Sequence, residues 1–206
     1  DKFEVISENK NLSFSVPFYF PNFFLNSYVI NFFNKFKLSL QSRDLKKIRT
    51  SLFSFLTPLD KILNWNNIYG RKGLLQYQFI LPDNKNVTNN IHKILSTIQK
   101  NKTNSYLMVI KLHRRSKGIL SFPIDGFSVA CDFPNTKDVK LLIKKLNEIL
   151  IDLDGKVYLA KDSLLTCSEF KTMYGTQFIK WKKIISTSFS SNYFSSELSK
   201  RIKLKL

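Results

Sequence analysis

The chain has 206 residues, 43% hydrophobic and 14% aromatic, and its 33 Lys and Arg against 15 Asp and Glu leave a net charge of +18. That is enough apolar material for a core, which excludes wholesale disorder, and the length suits one large domain or two small ones at roughly 100–200 residues each. No apolar run reaches the ~18 residues of a membrane-crossing helix, because the best stretch is broken by Pro21, Asn22, Asn26 and Asn31.

The chain opens at Asp1 with no basic segment leading into an apolar one, and its methionines are Met108 and Met173, so it reads as part of something longer. Cys131 and Cys167 lie far apart without His or Cys neighbours at metal-ligand spacing, which points to buried free thiols and no metal site. Lys far outnumbers Arg and only Ala130 and Ala160 are alanine, the bias of an AT-rich genome. That bias is the first reading of the positive charge, and attraction to an anionic ligand or membrane surface is the alternative.

Residues 2–7 and 11–16 read as short strands. An aromatic-rich helix, buried, is expected over 22–37, and a short helix over 59–68 that Gly70 stops. From residue 74 the pattern sharpens. Residues 74–81 alternate, with Leu75, Tyr77, Phe79 and Leu81 on one face and Gln76 and Gln78 on the other, as in a half-buried strand. Ile91, Ile94, Leu95 and Ile98 form the stripe of a helix over 88–100, and strands are expected over 105–113 and 127–133.

Asn135 or Thr136 caps the clearest helix, whose stripe runs from Val139 to Leu153 and which Gly155 would end in a left-handed conformation. Residues 157–160 return as a strand. Thr166 and Glu169 match a capping box opening a helix to Gly175, and residues 178–185 and 195–203 suit two more helices. The order strand, helix, strand, strand, helix, strand is the split βαβ arrangement of ferredoxin-like folds, an α+β class with an antiparallel sheet and helices on one face. The expected division is a substrate-binding domain over 1–160 and a helical segment over 161–206 that packs on another domain.

Fold does not decide function, so polar groups on the sheet must. Gln76 and Gln78 share a face of one strand, Lys111 and His113 of a second, and Ser128 lies on a third, so they either converge on a ligand or simply face water. Tyr158, Lys161, Asp162 and Ser163 lie where a strand runs into a loop, a place that suits either a ligand or a solvated turn. A basic ferredoxin-like RNA-binding module is the alternative from another class. Its stacking motif fails here, since Val129 replaces the aromatic after Gly126-Phe127-Ser128.

Several segments carry a more specific signal: Pro58-Leu59-Asp60, Trp65-Asn66, Tyr69-Gly70, Leu75-Gln76-Tyr77-Gln78-Phe79, Leu120-Ser121-Phe122-Pro123-Ile124, and Asp132-Phe133-Pro134. With Val157-Tyr158-Leu159-Ala160-Lys161-Asp162-Ser163, Met173-Tyr174 and the terminal helix, their order and spacing resemble the decaprenylphosphoryl-β-D-ribose oxidase family. These are FAD-dependent flavoproteins of the vanillyl-alcohol oxidase type. The resemblance implies that the chain is a C-terminal, substrate-side portion, with FAD bound mainly by an N-terminal domain. It implies a catalytic, flavin-adjacent role for Lys161, a flavin contact for Tyr158, and pocket positions for Gln76, Gln78, Lys111, His113, Ser128 and Ala130.

Where the family reads Gly-Trp-Asn-x-Cys-x-Asp-Phe, this chain reads Gly126-Phe127-Ser128-Val129-Ala130-Cys131-Asp132-Phe133, so Ala130 stands for the pocket cysteine and Cys131 turns to the other face. His113 likewise replaces an aromatic. The implied substrate is a lipid-linked pentose, with an aldonolactone-type oxidation of a soluble sugar as the enzymic alternative. The implied partner is a short-chain reductase that completes an epimerisation. Nucleic acid is not expected, and the implied location is cytoplasmic or peripheral at a bacterial inner membrane.

Overall fold

The computed structural model describes residues 14–21, 27–40, 62–103, 105, 107–188 and 196–204. By their contacts they form two compact units divided between Gly73 and Leu74. In the first, strand β1 (Phe14–Ser15) pairs in parallel with β2 (Ile62–Leu63), and α1 spans Ser27–Leu40. The expected helix over 59–68 is, within the described residues, β2 followed by a 3₁₀ helix, Trp65–Tyr69, because Asn64 between them takes a left-handed conformation. On one face of the aromatic helix the expected burial does not hold. Tyr28, Phe32 and Phe36 recur every four residues along one face, and all three are exposed. The strand expected over 2–7 lies outside the described residues.

The second unit follows the sequence closely. Strands β3 (Leu74–Pro82), β4 (Met108–His113), β5 (Gly126–Pro134) and β6 (Lys156–Val157) form an antiparallel sheet in the order β4-β5-β3-β6, the ferredoxin-like order. Helices α2 (Val87–Lys100) and α3 (Lys137–Asp152) pack on one face. Alternation decides which face: Tyr77, Phe79 and Leu81 of β3 join Val129, Cys131 and Phe133 of β5 against Ile94, Ile98, Leu142, Ile143, Leu146 and Leu150.

Thr136 caps α3, its Oγ1 accepting from the Val139 N–H. The helix does not end as expected. Asp154 takes the left-handed conformation, and Gly155 is required for space, since a Cβ there would lie 3.1 Å from the Ile80 carbonyl oxygen and closer still to Leu150. One polar pair interrupts the core: the Tyr77 hydroxyl donates to Asn147 Oδ1 at 2.7 Å, and burial raises the Tyr77 pKa well above its usual value.

The segment after residue 160 is part of this same core, so the compact units do not divide at 160/161. The capping box is present, with Glu169 Oε2 accepting from the Thr166 N–H and Thr166 Oγ1 from the Glu169 N–H. It opens α4 (Cys167–Ser188), a pair of helical stretches joined at a kink where Gly175 has φ of 29°. Leu165, Phe170, Met173, Tyr174 and Phe178 enter the core, and the Tyr174 hydroxyl donates to the Val157 carbonyl at 2.7 Å. The short α5 (Glu197–Arg201) then places Ile202 and Leu204 there too.

Arg201 fastens this tail. Its Nη2 reaches Asp162 Oδ2 at 2.9 Å and its Nη1 donates to the Leu165 carbonyl, while Asp162 Oδ1 accepts from the N–H groups of Leu164 and Leu165. The Asp162 side chain is only 2% exposed. Removing one partner of a buried ion pair costs ~3–5 kcal/mol, and retained backbone donors soften that loss. Arg201→Met should therefore lower the unfolding free energy in urea by about 3 kcal/mol, the low end of that range.

Burial pushes the Cys131 thiol from 9.0 up to about 12. The folded state thus holds a proton that the unfolded chain releases earlier, so the contribution is complete below about pH 9 and is lost as pH rises toward 12. At pH 8 a thiol reagent should modify the partly exposed Cys167 and leave Cys131 untouched until denaturant is added.

Candidate functional site

The helices leave the second sheet face free for chemistry, and the register places the candidate residues on it. Gln78 pairs with Ala130, Val109 lies across from Ala130, and the Tyr158 N–H donates to the Gln78 carbonyl at 2.8 Å, forming one row across four strands. The next row is Lys111, Ser128, Ile80 and Lys156. Gln76 lies opposite Asp132, and its Nε2 donates to Asp132 Oδ1 at 3.1 Å. The central strands β3 and β5 present no aromatic side chain between Gln76 and Asp132 on this face, since Val129 points into the helix-side core.

Ser128 is the hub. Its Oγ accepts from Gln78 Nε2 at 3.3 Å and lies 2.8 Å from His113 Nε2, with the tautomer of His113 deciding which of that pair donates. Gln78 and Ser128 are buried, so these are not polar groups that merely face water. Their burial has a visible cause in the loop joining β4 to β5, which folds back so that Phe122 packs against Tyr158 at 4.7 Å between ring centres and edge-on to His113 at 6.2 Å. Nearby in the chain, the buried Ser121 Oγ has no hydrogen-bond partner among the described residues.

Tyr158 and Lys161 occupy a different local structure from the expected strand over 157–160. The strand stops at Val157, and a 3₁₀ turn, Leu159–Lys161, follows, closed by the Lys161 N–H donating to the Tyr158 carbonyl at 2.9 Å. The turn directs two charged neighbours to different tasks. Asp162 holds backbone N–H groups and Arg201, whereas the ammonium of Lys161, half-buried, makes no hydrogen bond or ion pair among the described residues. Lys111 stands exposed on the edge strand opposite Ser128.

The structure thus joins Gln78, Ser128 and His113 through hydrogen bonds and brings Tyr158 alongside through Phe122, with Ala130 beside Gln78. Gln76 belongs instead to a separate pair with Asp132, and Cys131 faces the core, as its alternation with Ala130 requires. Phe122, Asp132 and Arg201 were not singled out from the sequence. Phe122 and Asp132 lie within quoted motifs, but Arg201 meets Asp162 across 39 residues of chain, and no local pattern signals that. Among the described residues no group of three or more His, Cys, Asp or Glu side chains is arranged to hold a metal ion, and no helix is long and apolar enough to cross a membrane.

No protein-family model matches the chain. Among curated proteins it is 33% identical over 155 residues to the decaprenylphosphoryl-β-D-ribose oxidase of Mycolicibacterium smegmatis, a match that covers 75% of this chain and 33% of that protein. The chain therefore spans about a third of the length of the relative it matches. Over those 155 residues the chain is thus similar to a decaprenylphosphoryl-β-D-ribose oxidase, as a partial member of that family would be.

Proposed function

We propose that this chain is the substrate-side part of an FAD-dependent oxidoreductase that oxidises a sugar hydroxyl, with a polyprenyl-phosphate-linked pentose as substrate. The observation that carries the reading is the Gln78–Ser128–His113 network on the open sheet face, together with the ammonium of Lys161, which has no partner among the described residues, on the turn that leaves that sheet. The relative's name supports the oxidation of a ribose carried on a polyprenyl phosphate.

The residues present suit a flavin and a sugar. Amide, hydroxyl and imidazole groups on one face match the alternating donors and acceptors of a polyol, and the one carboxylate there, Asp132, is engaged by Gln76. Tyr158 offers a ring face and Lys161 a cation, the groups that would contact the isoalloxazine. FAD, when bound, supplies the acceptor for a hydride leaving the carbon that bears the hydroxyl. Gln78 and Ser128 orient that hydroxyl, and Lys161 favours whatever neighbour becomes more negative as the reaction proceeds. His113, held by Ser128, adds a ring nitrogen that can give or take a hydrogen bond beside that hydroxyl. Ala130 and Ser128 shape the pocket where the wider family carries larger side chains, and so bear on which sugar fits.

The reading is tested in the full-length parent protein by single-turnover flavin reduction. Lys161→Ala should slow reduction by on the order of 10²-fold, the scale of losing one preorganised electrostatic group. An unchanged rate would remove Lys161 from the mechanism. Reduction by a soluble aldonolactone, and none by the lipid-linked pentose, would reassign the substrate while keeping the oxidoreductase.

A further inference from the structure

The loop that carries Phe122 over the polar row continues through Pro123 and Ile124, where it walls a second space. With Lys156 of β6 and the kink of α4 it lines a half-open pocket of about 330 Å³. This lies at the lower end of the ~300–1,000 Å³ typical of small-molecule sites. Its lining is unusual in charge: Arg115 and Lys156 both face it, and among the described residues no carboxylate does.

Each cation is poorly compensated. Lys156 Nζ donates to Gln177 Oε1 at 2.6 Å and lies 5.3 Å from the Tyr174 ring centre, so its partners are a neutral amide and a π face. Gln177 is itself held in place, its Nε2 donating to the Ser121 carbonyl at 3.4 Å. Arg115 has Asp125, but at 3.7 Å and in solvent, where an ion pair neutralises little. Burial first, and then the charge of Arg115, lower the Lys156 pKa, as expected of a cation that lacks a counter-charge.

Further donors surround the space. The Ser116 hydroxyl accepts from the Gly118 N–H at 3.5 Å and keeps its own proton to give, and Thr176 follows the Gly175 kink into the lining. Thr172 is excluded as a donor, since its hydroxyl already donates to the Ser168 carbonyl at 3.1 Å. Two cations, a fixed amide and hydroxyls left to donate among the described residues, around a half-open polar pocket, make up the recognition chemistry of a tetrahedral oxyanion.

We propose that this cavity binds a phosphate-type oxyanion between Lys156 and Arg115, with Ser116 and Thr176 as additional donors. Neither cation belongs to the Ser128 network or to the Lys161 turn, so the inference rests on other residues than the oxidoreductase reading, whose substrate would also carry an esterified phosphoryl group. The chemistry is shared by free phosphate and by the phosphoryl group of a larger ligand, and the test separates them.

Calorimetric titration of the full chain at low ionic strength with inorganic phosphate and with geranyl phosphate, using geraniol as the uncharged control, gives the answer. Wild-type protein should bind an anion one to one and ignore geraniol. Arg115→Gln alters a side chain that is 74% exposed, which leaves the fold unthreatened, and should weaken binding about tenfold, the order of one charge-assisted hydrogen bond. Lys156→Gln should weaken it at least as much, and Lys156→Arg should largely restore it. Equal affinities assign the site to a free oxyanion, whereas clearly tighter geranyl phosphate assigns it to an esterified phosphoryl group, and either supports the proposal. No anion binding by a chain with folded near-ultraviolet circular dichroism, or binding that both charge-removing variants leave unchanged, overturns it. Flavin reduction is read separately, so failure here leaves the oxidoreductase reading untouched.

Discussion

The register between Leu74–Pro82 and Gly126–Pro134 is the constraint on which the candidate site depends. Pairing Phe79 with Val129 and Gln78 with Ala130 sends one set of side chains under the helices and the other to the open face. A slip of β3 by one residue would exchange its two sets, burying Gln76 and Gln78 in an apolar layer and turning Tyr77 and Phe79 to the other face. The apolar face holds this register through burial, at ~25 cal/mol per Å² removed from water, and the polar face inherits its alignment. The hydrogen bonds around Ser128 are thus positioned by packing on the opposite side of the sheet.

Within the Tyr-x-x-Lys-Asp segment the two charges serve opposite ends. Asp162 is satisfied by backbone donors and Arg201, and its carboxylate has nothing left to offer a ligand. Lys161, one residue earlier on the same turn, has an ammonium without a partner among the described residues. A buried carboxylate that anchors a backbone turn fixes where the adjacent side chain starts, the kind of support that separates a usable cation from a mobile surface lysine.

Much of the second unit was legible because its elements obey strong periods. The alternation of residues 74–81, the stripe from Val139 to Leu150 and the Thr166–Glu169 box each state their structure locally, and the strand order follows from them. What was missed depends on contacts that no local pattern carries. The aromatic stripe of Tyr28, Phe32 and Phe36 has the spacing of a buried face yet is exposed, since periodicity says which residues share a face and not what covers it. Gly155 was legible as necessary, but for the wrong reason: the tight approach of Ile80 requires it, while Asp154 carries the left-handed turn. The site was legible in part for a related reason. Alternation could place Gln78, Ser128 and His113 on a common face, but only the fold-back of the Phe122 loop makes that face a buried one.

The clasp of Arg201 on Asp162 also bears on how the unit assembles during synthesis. Its core draws on Leu75 near one end of the unit and on Ile202 and Leu204 at the other, and the central pairing joins strands separated by more than forty residues. Contacts between segments so distant in sequence form slowly, and they cannot form until both segments have left the ribosome. The split βαβ sheet would emerge first with one side of its core open, awaiting α5. Completion of this unit's fold is therefore coupled to the emergence of that helix, and the interval before it arrives is when nascent protein would most need a chaperone.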